Sequence, residues 1–198
     1  MNMKKLLTTI TLLCFSVAFS ATSAFAATGD SILSMKERAE TIDRLLAVRL
    51  ETLPAKLMRR EGIHMWVLVA REYNEDPVLK TFLPSTWLSA RRTTMLVMYD
   101  TGEKIESLAC ARYDVGSVFR KAWDKESQPD QWAALAQLIT ERDPAKIAIN
   151  RSEHFGLADG LSAYHYEQLQ ATLPEKYRER LVGGERLAIG WLESRLPE

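Results

Sequence analysis

A chain of 198 residues with 26 basic and 26 acidic side chains carries no formal net charge. The two signs are interspersed, with only short clusters such as Arg59-Arg60 and Arg91-Arg92, so the long cationic stripe needed to bind a phosphate backbone is missing and nucleic acid is not an expected partner. Two cysteines and three histidines leave little scope for disulfide or metal chemistry.

Met1 to Ala26 reads as a targeting segment. Lys4 and Lys5 make a positive start, Leu6 to Ala18 is an apolar run, and Ala24-Phe25-Ala26 places small residues where a signal peptidase reads. Cleavage is expected between Ala26 and Ala27, with a periplasmic or secreted product that keeps no membrane attachment. Thr8, Thr9, Thr11 and Ser16 interrupt the apolar run, which is also shorter than the roughly 20 residues of a spanning helix. Cys14 follows Leu13 inside that run and is not placed for lipid attachment. Processing removes two lysines and no acids, leaving 24 basic residues against 26 acidic ones. The remaining chain of about 170 residues is long enough to bury one core without staples. Only Cys110 survives, so no intramolecular disulfide is expected.

Residues 27–36 are a short, flexible lead-in and residues 37–198 the folded domain. In an amphipathic helix, Ile42, Leu45, Leu46, Leu50, Leu53 and Leu57 recur at helical spacing; Pro54 is expected to kink or split it, and Gly62 to end it. His64 to Ala70 is a short apolar run that predicts a buried strand. Arg71 to Ser85, with two prolines and several charges, predicts a loop. Thr93 to Tyr99 and Lys104 to Arg112 predict an antiparallel pair about the turn Asp100-Thr101-Gly102-Glu103. After a polar stretch from Asp114 to Pro129, Asp130 is placed to cap a helix closed by Pro144. Ile147 and Ile149 alternate in a short strand, Ser162 caps a helix through Leu169 to Leu173, and an amphipathic segment runs from Glu185 through Leu187 and Trp191. About four helices and three or four strands make a single α/β layer domain with a mixed sheet.

The chemistry classes can be sought in turn. His64, His154 and His165 form no helical metal-binding pair and have no clustered cysteines beside them. No serine stands in a G-x-S-x-G elbow. Cys110 lies inside a strand with no adjacent base, so it is expected to pack as a small buried residue. The strand His64 to Ala70 contains no acid. Glu72, Glu75, Asp76 and Asp114 remain, and acids in loops are expected to be solvated. Catalytic and metal residues are therefore expected to be absent from this chain.

Three blocks stand out: Trp66-Val-Leu-Val-Ala-Arg-Glu-Tyr-Asn-Glu-Asp-Pro77; Thr86-Trp87-Leu88-Ser89-Ala90-Arg91-Arg92; and Ile149-Asn150-Arg151-Ser152-Glu153-His154-Phe155, followed by Ala158-Asp159-Gly160-Leu161. With the closing Trp191-Leu192-Glu193-Ser194-Arg195, they resemble the N-terminal domain of Xaa-Pro aminopeptidase-like members of the creatinase/prolidase/aminopeptidase P superfamily. The resemblance implies an α/β, three-layer-like domain of ribonuclease H-like topology, followed in the family by a pita-bread catalytic domain. That second domain holds two divalent metal ions on two Asp, one His and two Glu, none of which can be carried over to residues of this sequence. It also implies an N-terminal domain that makes oligomer contacts and walls one side of the peptide cleft, with Trp87 and Arg91 the matching candidates. Pro197-Glu198 reads as the start signal of a helix.

The leading expectation is thus a non-catalytic domain of an exported metallopeptidase, in a truncated form, partnered by the missing catalytic domain or by another copy. The alternatives are a free-standing periplasmic binding or interaction module, and an enzyme that uses the loop carboxylates Glu72 and Asp76. The amphipathic segment around Leu187 and Trp191 is expected to expose an apolar stripe.

Overall fold

The computed structural model describes residues 32–195. The expected signal segment, its cleavage site at Ala26 and Ala27, and the Pro197-Glu198 signal lie outside them. The chain divides into Met1–Ser34 and Met35–Glu198. Of the first unit only residues 32–34 are described, and they have no regular structure.

In the second unit the elements run α1 (Met35–Glu61), β1 (Met65–Arg71), α2 (Pro77–Lys80), β2 (Thr93–Asp100), β3 (Ile105–Cys110) and β4 (Arg120–Lys121). After them come α3 (Gln131–Arg142), β5 (Ile147–Ile149), a 3-10 turn (Gly156–Ala158), α4 (Ala163–Thr172), α5 (Glu175–Arg178), β6 (Leu181–Gly183) and α6 (Glu185–Glu193). The strands form one sheet in the order β4-β3-β2-β1-β5-β6. β2 is antiparallel to both β1 and β3, while β1–β5, β5–β6 and β3–β4 are parallel. Around the central β1, the order β3-β2-β1-β5-β6 with β2 alone reversed is the ribonuclease H-like arrangement.

Alternation along the strands explains the three layers. Trp66, Leu68 and Ala70 of β1 and Leu96 and Met98 of β2 pack with residues of α1, α2 and α6. Met65, Val67, Val69, Met95 and Val97 point to the opposite face, where they meet α3, α4 and α5. Both faces are covered, so the central strands read as unbroken apolar runs rather than as alternating ones.

Several expectations are corrected. The split that is one expectation for Pro54 is absent: α1 continues through it as one 27-residue helix, with Pro54, Leu50, Leu57 and Met58 all buried. The loop from Arg71 to Ser85 contains α2, whose single turn starts on Asp76. The stretch from Asp114 to Pro129 contains β4, and it buries Val115, Phe119 and Trp123. β6, absent from the expected elements, pairs in parallel with β5.

The expected apolar stripe on α6 is buried. Leu187 is 1% exposed and Trp191 0%, because Trp191 tilts against Phe82 at 4.4 Å between ring centres and lies under the guanidinium of Arg49. At the opposite end of the helix, Arg186 pairs with Glu61 at 2.7 Å. α6 therefore runs antiparallel along the C-terminal half of α1, and the face its periodicity marks as apolar is spent on that contact.

Candidate functional site

The chain leaves β1, β3, β5 and β6 at one end of the sheet, and the loops at this end hold the three resembling blocks. In open α/β sheets this carboxyl end is where ligands are held. The backbone N–H of Glu72 donates to the carbonyl of Arg92 at 2.6 Å, and the Arg92 N–H returns to Oε2 of Glu72 at 3.2 Å. Oε1 of Glu75 accepts from the N–H groups of Tyr73 and Ala90 at 3.1 and 3.0 Å. Tyr73 and Arg92 have φ of 66° and 53°, left-handed values that cost a non-glycine residue energy and persist only where the surroundings hold them. Glu72 and Glu75 supply that hold, and their carboxylates are occupied by it.

Beneath this surface lies a buried polar network. Asp76 and Asn150 are 0% and 1% exposed. Oδ1 of Asp76 accepts from the N–H groups of Val78 and Leu79 at 2.9 and 2.8 Å, which caps α2, and Pro77 occupies the first turn with its fixed φ. Nδ2 of Asn150 donates to both carboxylate oxygens at 2.9 Å, and its Oδ1 accepts from Nε1 of Trp66 at 2.9 Å. Burial pushes the Asp76 carboxyl above its ordinary range, against the opposing pull of the hydrogen bonds from Leu79, Asn150 and Val78. Gly160 closes the network: a Cβ there would collide with the Asp76 carboxylate and the Pro77 ring. Trp66 and Asp76 of the first block, and Asn150 and Gly160 of the third block and the segment after it, thus meet at a single point. The expectation that these loop acids are solvated fails for Asp76, because the carboxylate that caps α2 is enclosed by the segments it ties together.

Trp87 and Arg91 come together in the loop before β2. The Arg91 guanidinium lies 4.2 Å from the centre of the half-buried Trp87 ring and 5.5 Å from that of Tyr113. The two rings meet edge-on at 5.6 Å. Arg91 is exposed, as are Leu88 and Tyr73, at 89% and 86%. The arrangement offers a planar cation and aromatic edges to solvent, suited to carboxylates, carbonyls and flat apolar rings. Tyr113 carries no sequence signal of its own, since it reaches the site only through the pairing of β3 with β2.

The other candidates form neither the stack nor the buried network. Asp114 is exposed and accepts from the Lys121 N–H at 2.7 Å. His64 and His154 are exposed, and His165 is buried between Trp132 and Tyr164 with its pKa lowered by burial and by Arg71. Cys110 is buried, and its thiol is pushed up to about 12 by burial. Among the described residues no group of three or more His, Cys, Asp or Glu converges as a metal site. Glu72, Glu75 and Asp76 each accept from loop or helix N–H groups.

No described helix is long and apolar enough to cross a membrane. No family model matches the sequence, and no curated protein matches it. Among solved structures, the chain is similar to an Xaa-Pro dipeptidase from Bacillus anthracis, with a TM-score of 0.41 and 10% sequence identity over 74% of this chain. The match covers 34% of that protein, so this chain spans about a third of its length.

Proposed function

We propose that this chain is the non-catalytic N-terminal domain of an exported Xaa-Pro-type metallopeptidase, and that its sheet-end rim forms part of a peptide-cleft wall. The observation that carries the reading is the stacked Trp87–Arg91–Tyr113 group, set in the loops at the carboxyl end of the sheet. The resembling blocks share this one end. In this reading Asp76 and Asn150 position the rim, Trp87 and Tyr113 supply flat apolar surface to a peptide, and Arg91 takes a peptide carbonyl or carboxylate. Hydrolysis belongs to a catalytic domain beside it, with its own metal ions.

The test is a titration of the full chain with Ala-Pro-Ala, followed by amide NMR, alongside a turnover assay with added Mn²⁺ or Zn²⁺. Weak, saturable shifts around Trp87, Arg91 and Tyr113 are expected, lost in Trp87→Ala and Arg91→Ala, without turnover. Shifts that survive both substitutions would refute the cleft-wall role. Metal-dependent turnover that disappears in Glu72→Ala or Asp76→Asn would refute the non-catalytic assignment.

A further inference from the structure

A cavity of about 200 Å³ opens between α1 and the loops that follow α2 and β3. Its apolar lining comes from the buried Leu50 and Phe82 and from Leu46, Pro84, Val115 and Val118. One charged side chain joins them: Asp43, half-buried on α1. Oδ1 of Asp43 accepts from the Ser85 N–H at 2.7 Å, which ties the helix to the loop. No cation among the described residues is paired with it.

An apolar cavity whose lining carries one carboxylate selects ligands by charge as well as by size. An anion is repelled, and a neutral apolar body gains only burial. An ammonium attached to a compact apolar body satisfies both parts of the lining. The volume corresponds to about seven waters at about 30 Å³ each, smaller than the roughly 300 to 1,000 Å³ that drug-sized ligands occupy. We propose that this cavity binds a small free primary amine with a compact alkyl or aryl body, its ammonium on Asp43 and its apolar part against Leu50 and Phe82. The lining shares no residue with the Trp87–Arg91–Tyr113 stack, and the proposal does not depend on the peptide-cleft reading.

The experiment titrates the ¹⁵N-labelled full chain with 3-methylbutylamine, with the alcohol 3-methylbutan-1-ol of the same shape, and with 3-methylbutanoate. The amine should give saturable amide shifts confined to residues 43–50, 82–85 and 115–118. The alcohol should bind about threefold to fivefold more weakly, the effect of a partly solvated ion pair, and the carboxylate should not bind. Asp43→Asn keeps an oxygen for the Ser85 N–H while removing the charge, so it should abolish the preference for amine over alcohol. Ala47→Leu, which fills the cavity from its lining, should remove the shifts for both. If that variant does not fold, the comparison of amine with alcohol on the unaltered chain decides alone. Equal affinity for the two, shifts that never saturate, or shifts centred on Trp87 and Tyr113 would overturn the proposal.

Discussion

At Asn150 the side-chain amide has one orientation available, because Nε1 of Trp66 is a donor only and needs its oxygen. The Asn150 Nδ2 must then face Asp76, and this makes a near-isosteric change at Asp76 informative. In Asp76→Asn, an amide would have to accept the α2 capping bonds and also turn a donor toward the donor of Asn150. We expect a loss of about 1–3 kcal/mol in chemical denaturation, the cost of a buried polar group left without a partner, and a comparable loss in Gly160→Ala from overpacking against the same carboxylate. pH acts on these acids in two directions. Asp143 is held at about 2, first by Lys176 and then by Arg180, and Glu61, Asp100 and Glu106 are lowered by Arg60, Arg59 and Arg142. Each contributes stability above its ordinary pKa that is lost as pH falls toward the folded value, so thermal stability should drop between about pH 4 and pH 2. Asp76 has the opposite sign: the folded chain holds its proton more tightly, and ionisation removes stability as pH rises through its raised value. The low-pH loss should therefore be less steep in the native chain than in Asp76→Asn. Cys110 should resist iodoacetamide in the folded chain and react once unfolded, as mass spectrometry would read directly.

Among the elements, α3 shows how fully a helix can be specified locally. Oδ1 of Asp130 accepts from the N–H groups of Trp132 and Ala133 at 2.8 and 3.3 Å, and Asp143 ends the helix in a left-handed conformation. Asp130→Ala should cost about 1 kcal/mol by denaturant titration. Arg142 then clamps the last turn to β3 through paired bonds of 2.6 and 2.9 Å to Glu106. The hairpin between β2 and β3 behaves similarly: Gly102 takes φ of 89°, and Arg59 from α1 grips Asp100 at 2.7 and 2.9 Å. β4 and β6 are a different kind of element. With two and three residues they carry no period of their own, and they are strands only because β3 and β5 present unpaired edges beside them. The Asp76-Pro77 pair did carry a local signal, a capping acid before proline at the first helical position, although the single turn that follows is too short to show helical spacing.

For the molecule as a whole, the burial of α6 reverses an expectation and yields a measurement. Hydrogen exchange should show residues 187–192 well protected in a monomer, because Leu187, Ala188 and Trp191 are enclosed by α1 and Phe82. Rapid exchange there, or protection that appears only at high protein concentration, would contradict the packing. The proposed export is tested separately: periplasmic material should begin at Ala27, and an intact Met1 in the membrane fraction would count against it. Trp87 and Arg91 belong to this scale too, since their stacking depends on β3 bringing Tyr113 up to the loop before β2.

The sequence by itself determined the α/β class, the central strands, the capped helices and the hairpin, because each rests on interactions within a few residues: apolar runs, capping side chains and a turn glycine. It also marked the blocks around Asp76, Trp87 and Asn150 as unusual. Only the tertiary structure decided that Asp76 is a buried cap rather than a solvated acid, that the apolar stripe of α6 is already covered, and that Asp43 borders an apolar cavity. The reason is physical: burial, charge pairing and edge-strand formation depend on which distant segments share a neighbourhood. Local pattern states what a segment can bury, and the packing of the other segments determines whether anything covers it.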